Sequence, residues 1–167
     1  MSEMVAAFIR LNEGWNAEPN APNENVRIDG NDLILQFRLN PFQFEGFDEN
    51  DNGILRFTNC SRFRLGVTND EGWYRGECRF SRLAPSWGEF YAVLNDPSSI
   101  AGPDDWVEMP LSILQSGTHF LFYFRDRTFE CVAENCAIEP NRENALFREA
   151  KLLLSFAPKT GLVPVLR

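Results

Sequence analysis

The sequence predicts a mainly β (α+β) protein: an antiparallel β-barrel or β-sandwich with a short N-terminal helix and an amphipathic C-terminal helix. Between residues 26 and 138, apolar side chains recur at every second position in several short runs. Turn-forming residues separate these runs, as expected for antiparallel strands. The period changes to that of a helix only near the two ends of the chain.

The chain of 167 residues is predicted to be a single globular domain with four consecutive parts. Residues 1–25 are expected to form a helix and a loop, residues 26–138 the antiparallel β core, residues 141–156 a second helix, and residues 157–167 an extended tail. A domain of this size buries enough surface to fold without disulfides or a structural metal.

The N-terminal helix is predicted over Ser2–Leu11, with Ser2 as its cap, because apolar residues recur there at three- and four-residue spacing. A loop follows over residues 16–25, where Pro19 and Pro22 lie among several asparagines.

The first hairpin of the core is predicted at Asp29–Gly30, a dipeptide that favours a tight turn. Apolar residues alternate on both sides of it: Val26, Ile28, Leu33, Leu35, Phe37 and Leu39. Pro41 ends that strand. Further strands are expected at Leu55–Phe57, at Trp87–Leu94, and in a hairpin that joins His119–Phe124 to Thr128–Ala133.

A second hairpin is predicted from Arg62 to Phe80, with Asn69–Gly72 as its turn. In that register one face would be apolar and buried. The opposite face would carry the candidate ligand-binding residues Arg62, Arg64, Trp73, Arg75 and Arg79.

This arginine face has two interpretations. Guanidinium groups suit carboxylates and phosphates, and Trp73 could stack on a bound ring, so the face could bind an anion. Alternatively, it is an ordinary solvated face whose arginines pair with acids of nearby loops, or with the C-terminal segment or a second subunit. The sequence favours the solvated face and leaves both open.

The C-terminal helix is predicted over Asn141–Phe156, where Leu146, Ala150 and Leu153 form an apolar stripe. This helix, or the tail that follows it, also offers a surface for a second copy of the chain.

The stretch from Asp48 to Asn59 begins like a calcium-binding loop, with Asp48, Asn50 and Asn52 at alternate positions before Gly53. Asn59 stands where such a loop needs a bidentate glutamate, so no EF-hand is expected. Asparagine and glycine are also typical of turns, and a turn is predicted, with a weak surface calcium site as the alternative.

The four cysteines are predicted to be reduced thiols, because the N-terminus lacks the basic start and long apolar run of a signal peptide. The expected location is therefore cytoplasmic. A zinc site with His119 is disfavoured, since Cys131 and Cys136 are an odd number of residues apart and would point to opposite faces of a strand.

No catalytic motif is evident. Ser116, His119 and Asp126 could be arranged as a triad on paper, but no nucleophile elbow accompanies them. We expect no cofactor, and no carboxylate pair can be selected from the sequence.

The formal net charge of −8 argues against binding to nucleic acid or to an anionic membrane, and it favours a basic partner. The leading hypothesis is a noncatalytic protein-binding or regulatory domain, in one version immunity-like or inhibitor-like, that captures a basic protein through loops 45–52 and 69–71. The runner-up is a β-domain or enzyme that binds a small anion, nucleotide or sugar with Arg64, Arg75 and Trp73.

Overall fold

One antiparallel sheet of eight strands dominates the computed structural model, and the sheet does not close into a barrel. The structure describes residues 5–83, 85–96, 104–114 and 116–138. The prediction of a mainly antiparallel β protein is thus confirmed in its coarse form.

The elements follow one another in the order β1 (Ala7–Arg10), β2 (Asn25–Asp29), β3 (Asp32–Arg38), β4 (Asn52–Gly66), α1 (Asp70–Tyr74), a 3-10 turn (Ser81–Leu83), β5 (Phe90–Leu94), β6 (Val107–Glu108), β7 (Thr118–Tyr123) and β8 (Thr128–Ile138). Within the sheet the order is β1-β5-β7-β8-β4-β3-β2, and β6 pairs separately with β4.

Two of the predicted hairpins are present. β2 and β3 are joined by Gly30 and Asn31, and Gly30 has a φ of 63°, which a residue with a side chain rarely adopts. β7 and β8 flank the turn at residues 125–127, as their alternating apolar residues predicted. In both hairpins the turn residues and the two-residue alternation of apolar side chains predict the same structure, so the hairpin could be predicted from the sequence.

The larger core lies on one face of the sheet, which we call the inner face. Strong curling brings strands that are not neighbours into contact across it: Phe37 of β3 lies 5.1 Å, between ring centroids, from Phe122 of β7. Trp15, in the segment between β1 and β2, is 2% exposed and stacks on Phe37 at 5.7 Å. The inner core is therefore built largely from aromatic rings.

The opposite, outer face is covered in part by the segment of residues 67–89. Phe80 from this segment packs with Tyr91, Leu121 and Tyr123 of the sheet, and Trp73 and Trp87 pack against the same cluster. This second, smaller core fixes the 67–89 segment over β5 and β7.

The predicted N-terminal helix is wrong, because Ala7–Arg10 forms strand β1. This strand pairs with β5, and Phe8 packs edge-on against Phe80 at 5.2 Å. The helical spacing of a few apolar residues was a weaker determinant than backbone pairing with an available sheet edge.

The predicted hairpin over Arg62–Phe80 is also wrong. β4 continues as a strand to Gly66, and the expected turn instead begins helix α1. Asn69 caps that helix, since its side-chain oxygen accepts a hydrogen bond from the Gly72 amide at 2.9 Å. An asparagine followed by two acidic residues suits a helix start as well as a turn, and here the helix forms.

The cysteines are free thiols, and Cys60, Cys131 and Cys136 are buried. Cys131 and Cys136 do not point to opposite faces, since both contact the inner core. The alternation of β8 is interrupted at Glu134 and Asn135, which are both exposed.

The predicted C-terminal helix (141–156) and tail (157–167) lie outside the described residues. No helix in the described part of the chain is long and apolar enough to cross a membrane.

Candidate functional site

A buried carboxylate lies at the centre of the outer face. Glu130 of β8 is 1% exposed, and its side chain lies on the opposite side of the sheet from its neighbours Phe129 and Cys131. Glu130 accepts hydrogen bonds from the guanidinium groups of Arg64 (3.0 Å) and Arg79 (2.9 Å). Three separated parts of the chain thus meet at one side chain.

Two further carboxylates and one imidazole complete what we call the Glu130 network: Arg64, Arg79, Asp96, Asp105, His119 and Glu130. Nε2 of His119 lies 2.7 Å from Glu130, and Nδ1 lies 3.4 Å from Asp96. Asp96 also accepts from Arg79 at 2.9 Å. Arg64 binds Asp105 with two nitrogens, at 2.8 and 3.0 Å, in the bidentate geometry that suits a guanidinium group.

The network favours the charged forms of Glu130 and His119 despite their burial. Burial alone would raise the pKa of Glu130, but His119, Arg79 and Arg64 outweigh it and hold that pKa below its ordinary value. Burial would likewise lower the pKa of His119, but Asp96 and Glu130 hold it above its ordinary value. Cationic and anionic side chains therefore alternate through the network, and each favours the charged form of its neighbours.

Aromatic rings flank the network. The Arg79 guanidinium lies over the Phe80 ring at 4.4 Å, and Arg62 lies over Trp106 at 4.5 Å. The His119 ring has both Phe80 and Trp106 as neighbours, with ring centroids 6.2 and 6.1 Å away. These contacts reduce the access of water to the charged groups.

The five residues predicted to bind a ligand do not share one strand face. Arg64 and Arg79 meet at Glu130, whereas Arg62 stacks on Trp106. Trp73 belongs to α1 and packs against the outer-face core, and Arg75 is exposed and lies 3.7 Å from Glu71. Their role in ligand binding remains a prediction, but Arg64 and Arg79 already have carboxylate partners within the chain.

Sequence reasoning missed Glu130, Asp96 and Asp105 altogether. Glu130 did carry a signal, because it stands between Phe129 and Cys131 in a run with few other polar residues. A carboxylate inside such a strand needs a buried cationic partner. Asp96 and Asp105 lie in connecting segments and carried no comparable signal.

A second feature is an acidic end, at which two clefts of about 240 Å³ each lie side by side. Glu18 lines both clefts. Asp70, in the predicted capture loop 69–71, lines the first, and Glu49, in the predicted capture loop 45–52, lines the second. We use "acidic end" for Glu18, Glu49, Asp70 and these two clefts.

The loop around Glu49 is held in shape by its own polar groups. The Asp51 amide donates to the Asp48 carbonyl at 3.1 Å, and Asn50 has a φ of 75°. The predicted turn is therefore present over residues 48–51, whereas Asn52 and Gly53 lie in strand β4. The Asp48 amide in turn donates to the Asp51 side chain at 2.8 Å. The turn leaves Glu49 exposed.

The rim of the second cleft also carries an exposed aromatic ring. Phe42 is 71% exposed and lies beside Pro41 and Leu39. The clefts are not purely acidic, since Arg125 lines the first and Arg38 the second. Arg125 donates to the backbone carbonyl of Asn20 at 2.9 Å and so helps to fix the wall that Glu18 belongs to.

Within the described residues, no group of three or more histidine, cysteine, aspartate or glutamate side chains is placed to hold a metal ion. No protein-family model matches the sequence, and comparisons with curated proteins and with solved structures likewise give no match. Function must therefore be argued from the sites themselves.

Proposed function

We propose that this protein is a noncatalytic binding domain that captures a basic protein partner at its acidic end. One observation carries the proposal: the turn at residues 48–51 and the first turn of helix α1, which are distant in sequence, contribute Glu49 and Asp70 to clefts that share Glu18. An immunity-like or inhibitor-like role is one version of this function.

The negative charge of the protein favours a basic partner both at a distance and at contact. The net charge of −8 attracts a cationic protein from a distance and raises its association rate. At contact, Glu49 and Asp70 can receive lysine or arginine side chains, while the exposed ring of Phe42 offers an apolar or cation–π contact.

The runner-up, a small-anion site at the arginine face, has less support. Of the residues that it needs, Arg64 is bound to Asp105 and Glu130, so an external anion would have to displace internal carboxylates there. Trp73 packs against the outer-face core, and Arg75 is exposed and lies 3.7 Å from Glu71. The acidic end requires no such exchange at Glu49, which is exposed.

Two variants with the same change in net charge test the proposal. Glu49→Lys with Asp70→Asn alters the acidic end, and Glu13→Lys with Glu108→Gln alters exposed acids that line neither cleft. Each pair of substitutions takes the formal net charge from −8 to −5, because a Glu→Lys change adds two charges and a neutralisation adds one.

The variants are used as baits in a lysate of the native cell, and the captured proteins are identified and titrated at several salt concentrations. We expect a basic protein that binds the wild type and the control variant, loses most of its affinity for the acidic-end variant, and binds more weakly as salt rises. Equal loss in both variants, or affinity that does not change with salt, would contradict the proposal.

A further inference from the structure

His119 is the only histidine in the chain, and it lies where several segments meet on the outer face. Glu130 on the neighbouring strand β8 faces one ring nitrogen, and Asp96, just after β5, faces the other. Arg79, from the 67–89 segment, contacts both of these carboxylates. The side chain of His119 is 12% exposed, so its hydrogen bonds within the chain largely replace those with water.

The contacts of the imidazole specify its charge. Both ring nitrogens face carboxylate oxygens, and an ionised carboxylate only accepts hydrogen bonds. A neutral imidazole has one donor and one acceptor nitrogen, so it can satisfy only one of the two contacts. The protonated ring donates to both.

We propose that His119 is a pH-operated latch: protonated, it holds the Asp96 end of strand β5 against Glu130 and the outer face, and deprotonation loosens that end. The fold thereby gains a site at which proton concentration changes the hold on residues 94–96, at the end of β5.

The distances indicate which contact is lost. The Nε2 contact with Glu130, at 2.7 Å, is much shorter than the Nδ1 contact with Asp96, at 3.4 Å. A neutral ring therefore keeps its proton on Nε2, and its bare Nδ1 then faces the Asp96 carboxylate. Asp96 retains its bond to Arg79 at 2.9 Å, so residues 94–96 loosen without being released.

The charge balance points in the same direction. With His119 protonated, the network has three cations (Arg64, Arg79 and His119) and three anions (Asp96, Asp105 and Glu130). Loss of the imidazole proton leaves one uncompensated negative charge in a mostly buried cluster, where Coulomb interactions are stronger than in water.

The sign of the pH effect follows from linkage. Because the pKa of His119 is raised in the folded protein, its contribution to stability is fully present below the ordinary value of 6.5 and is lost as pH rises through the folded-state pKa. Glu130 acts oppositely: its pKa is lowered, so its contribution is present above 4.5 and is lost as pH falls through the folded-state pKa. Both contributions are therefore fully present, and the latch is closed, between pH 4.5 and pH 6.5.

The test uses the wild-type protein between pH 5.5 and 9. Since the chain has one histidine, its imidazole proton signals in an NMR titration need no mutagenesis to assign. We expect a pKa above 6.5, and above that pKa a severalfold faster amide hydrogen exchange in residues 94–96 after correction for the intrinsic effect of pH.

Two controls separate the latch from a general effect of pH. The Asn59 amide donates at 3.0 Å to Asp32, in an ion-pair cluster that contains no histidine, and its corrected exchange should not change over this range. The variant His119→Gln, which can still donate to Glu130, should exchange at residues 94–96 at the faster rate at every pH.

A native pKa of His119 at or below 6.5 would overturn the proposal. Equal corrected exchange of residues 94–96 on both sides of the titration would also overturn it. The pKa of His119 and the exchange rates of residues 94–96 are both measured on the wild type, so the outcome does not depend on whether the variant folds.

Discussion

Glu130 shows how one residue can join distant parts of a chain. Its carboxylate is 1% exposed and accepts from Arg64 of β4, Arg79 of the 67–89 segment and His119 of β7. A buried ion cluster of this kind is costly to desolvate, so its net contribution to stability is modest. Removing one member is different, because the remaining charges stay buried without compensation.

Glu130→Gln is therefore expected to lower the free energy of unfolding by about 3–5 kcal/mol. The amide keeps the shape of the side chain but leaves Arg64, Arg79 and His119 with no central negative charge. Urea denaturation, with the midpoint and the slope fitted separately, measures the loss.

Asp105→Asn is the matched control for this change. Asp105 also binds Arg64, but its side chain is 53% exposed, so we expect a loss of no more than about 1 kcal/mol. Similar losses in the two variants would show that burial does not set the importance of Glu130.

The arginines were visible in the sequence, but their partners were not. The strand register predicted from the sequence places Arg64 and Arg79 on one face. They do meet, but through Glu130 and from different elements. Pairing between residues 51 positions apart depends on how the whole chain folds, and no local pattern encodes it.

At the scale of elements, a prediction was correct where the apolar pattern and the turn residues both favoured the same structure. The β2–β3 hairpin combined alternation with a glycine turn, and it formed as predicted. The sequence of residues 69–72 is compatible with both a turn and a helix start, so the correct choice rested on tertiary packing of Trp73 and Phe80 on the outer face. The helix predicted over Ser2–Leu11 is likewise too short for its apolar spacing to outweigh the pairing of Ala7–Arg10 with β5.

The approach of β7 to β8 depends on a glycine immediately before β7. A Cβ atom at Gly117 would lie 2.7 Å from the Ala133 carbonyl oxygen and 2.7 Å from a methyl group of Leu114. Gly117→Ala should therefore destabilise the protein by about 1–3 kcal/mol, because the backbone of β8 would have to shift. The entropic gain from replacing a glycine, about 0.4–1 kcal/mol, offsets only part of this cost.

Thermal and urea unfolding of Gly117→Ala can be compared with those of Ser116→Ala, a change at the exposed neighbouring position. The serine variant should remain within about 0.5 kcal/mol of the wild type. A stabilised glycine variant would show that the two strands can separate locally at little cost.

The whole molecule is held in its curled shape by contacts that the strand patterns do not specify. Alternation predicts apolar residues in β3, β5 and β7, but not the approach of β3 to the neighbouring strands β5 and β7 across the inner face. Trp15 makes that approach visible, since its ring contacts Phe37 of β3, Phe90 of β5 and Phe122 of β7. It lies in a segment that the sequence indicated only as the end of a helix and the start of a loop.

Trp15→Ala is accordingly expected to cost about 3–5 kcal/mol in the free energy of unfolding. It removes a side chain that is 2% exposed and leaves a cavity between β3 and the pair β5 and β7, which are not neighbours of β3 in the sheet. Trp106→Ala provides the comparison, because that ring is half-buried and its cation–π contact with Arg62 contributes about 0.5–1 kcal/mol. If the curl depends on Trp15, hydrogen exchange in β3 and β5 will rise in the first variant and not in the second; equal protection in both would show that the sheet curls without this contact.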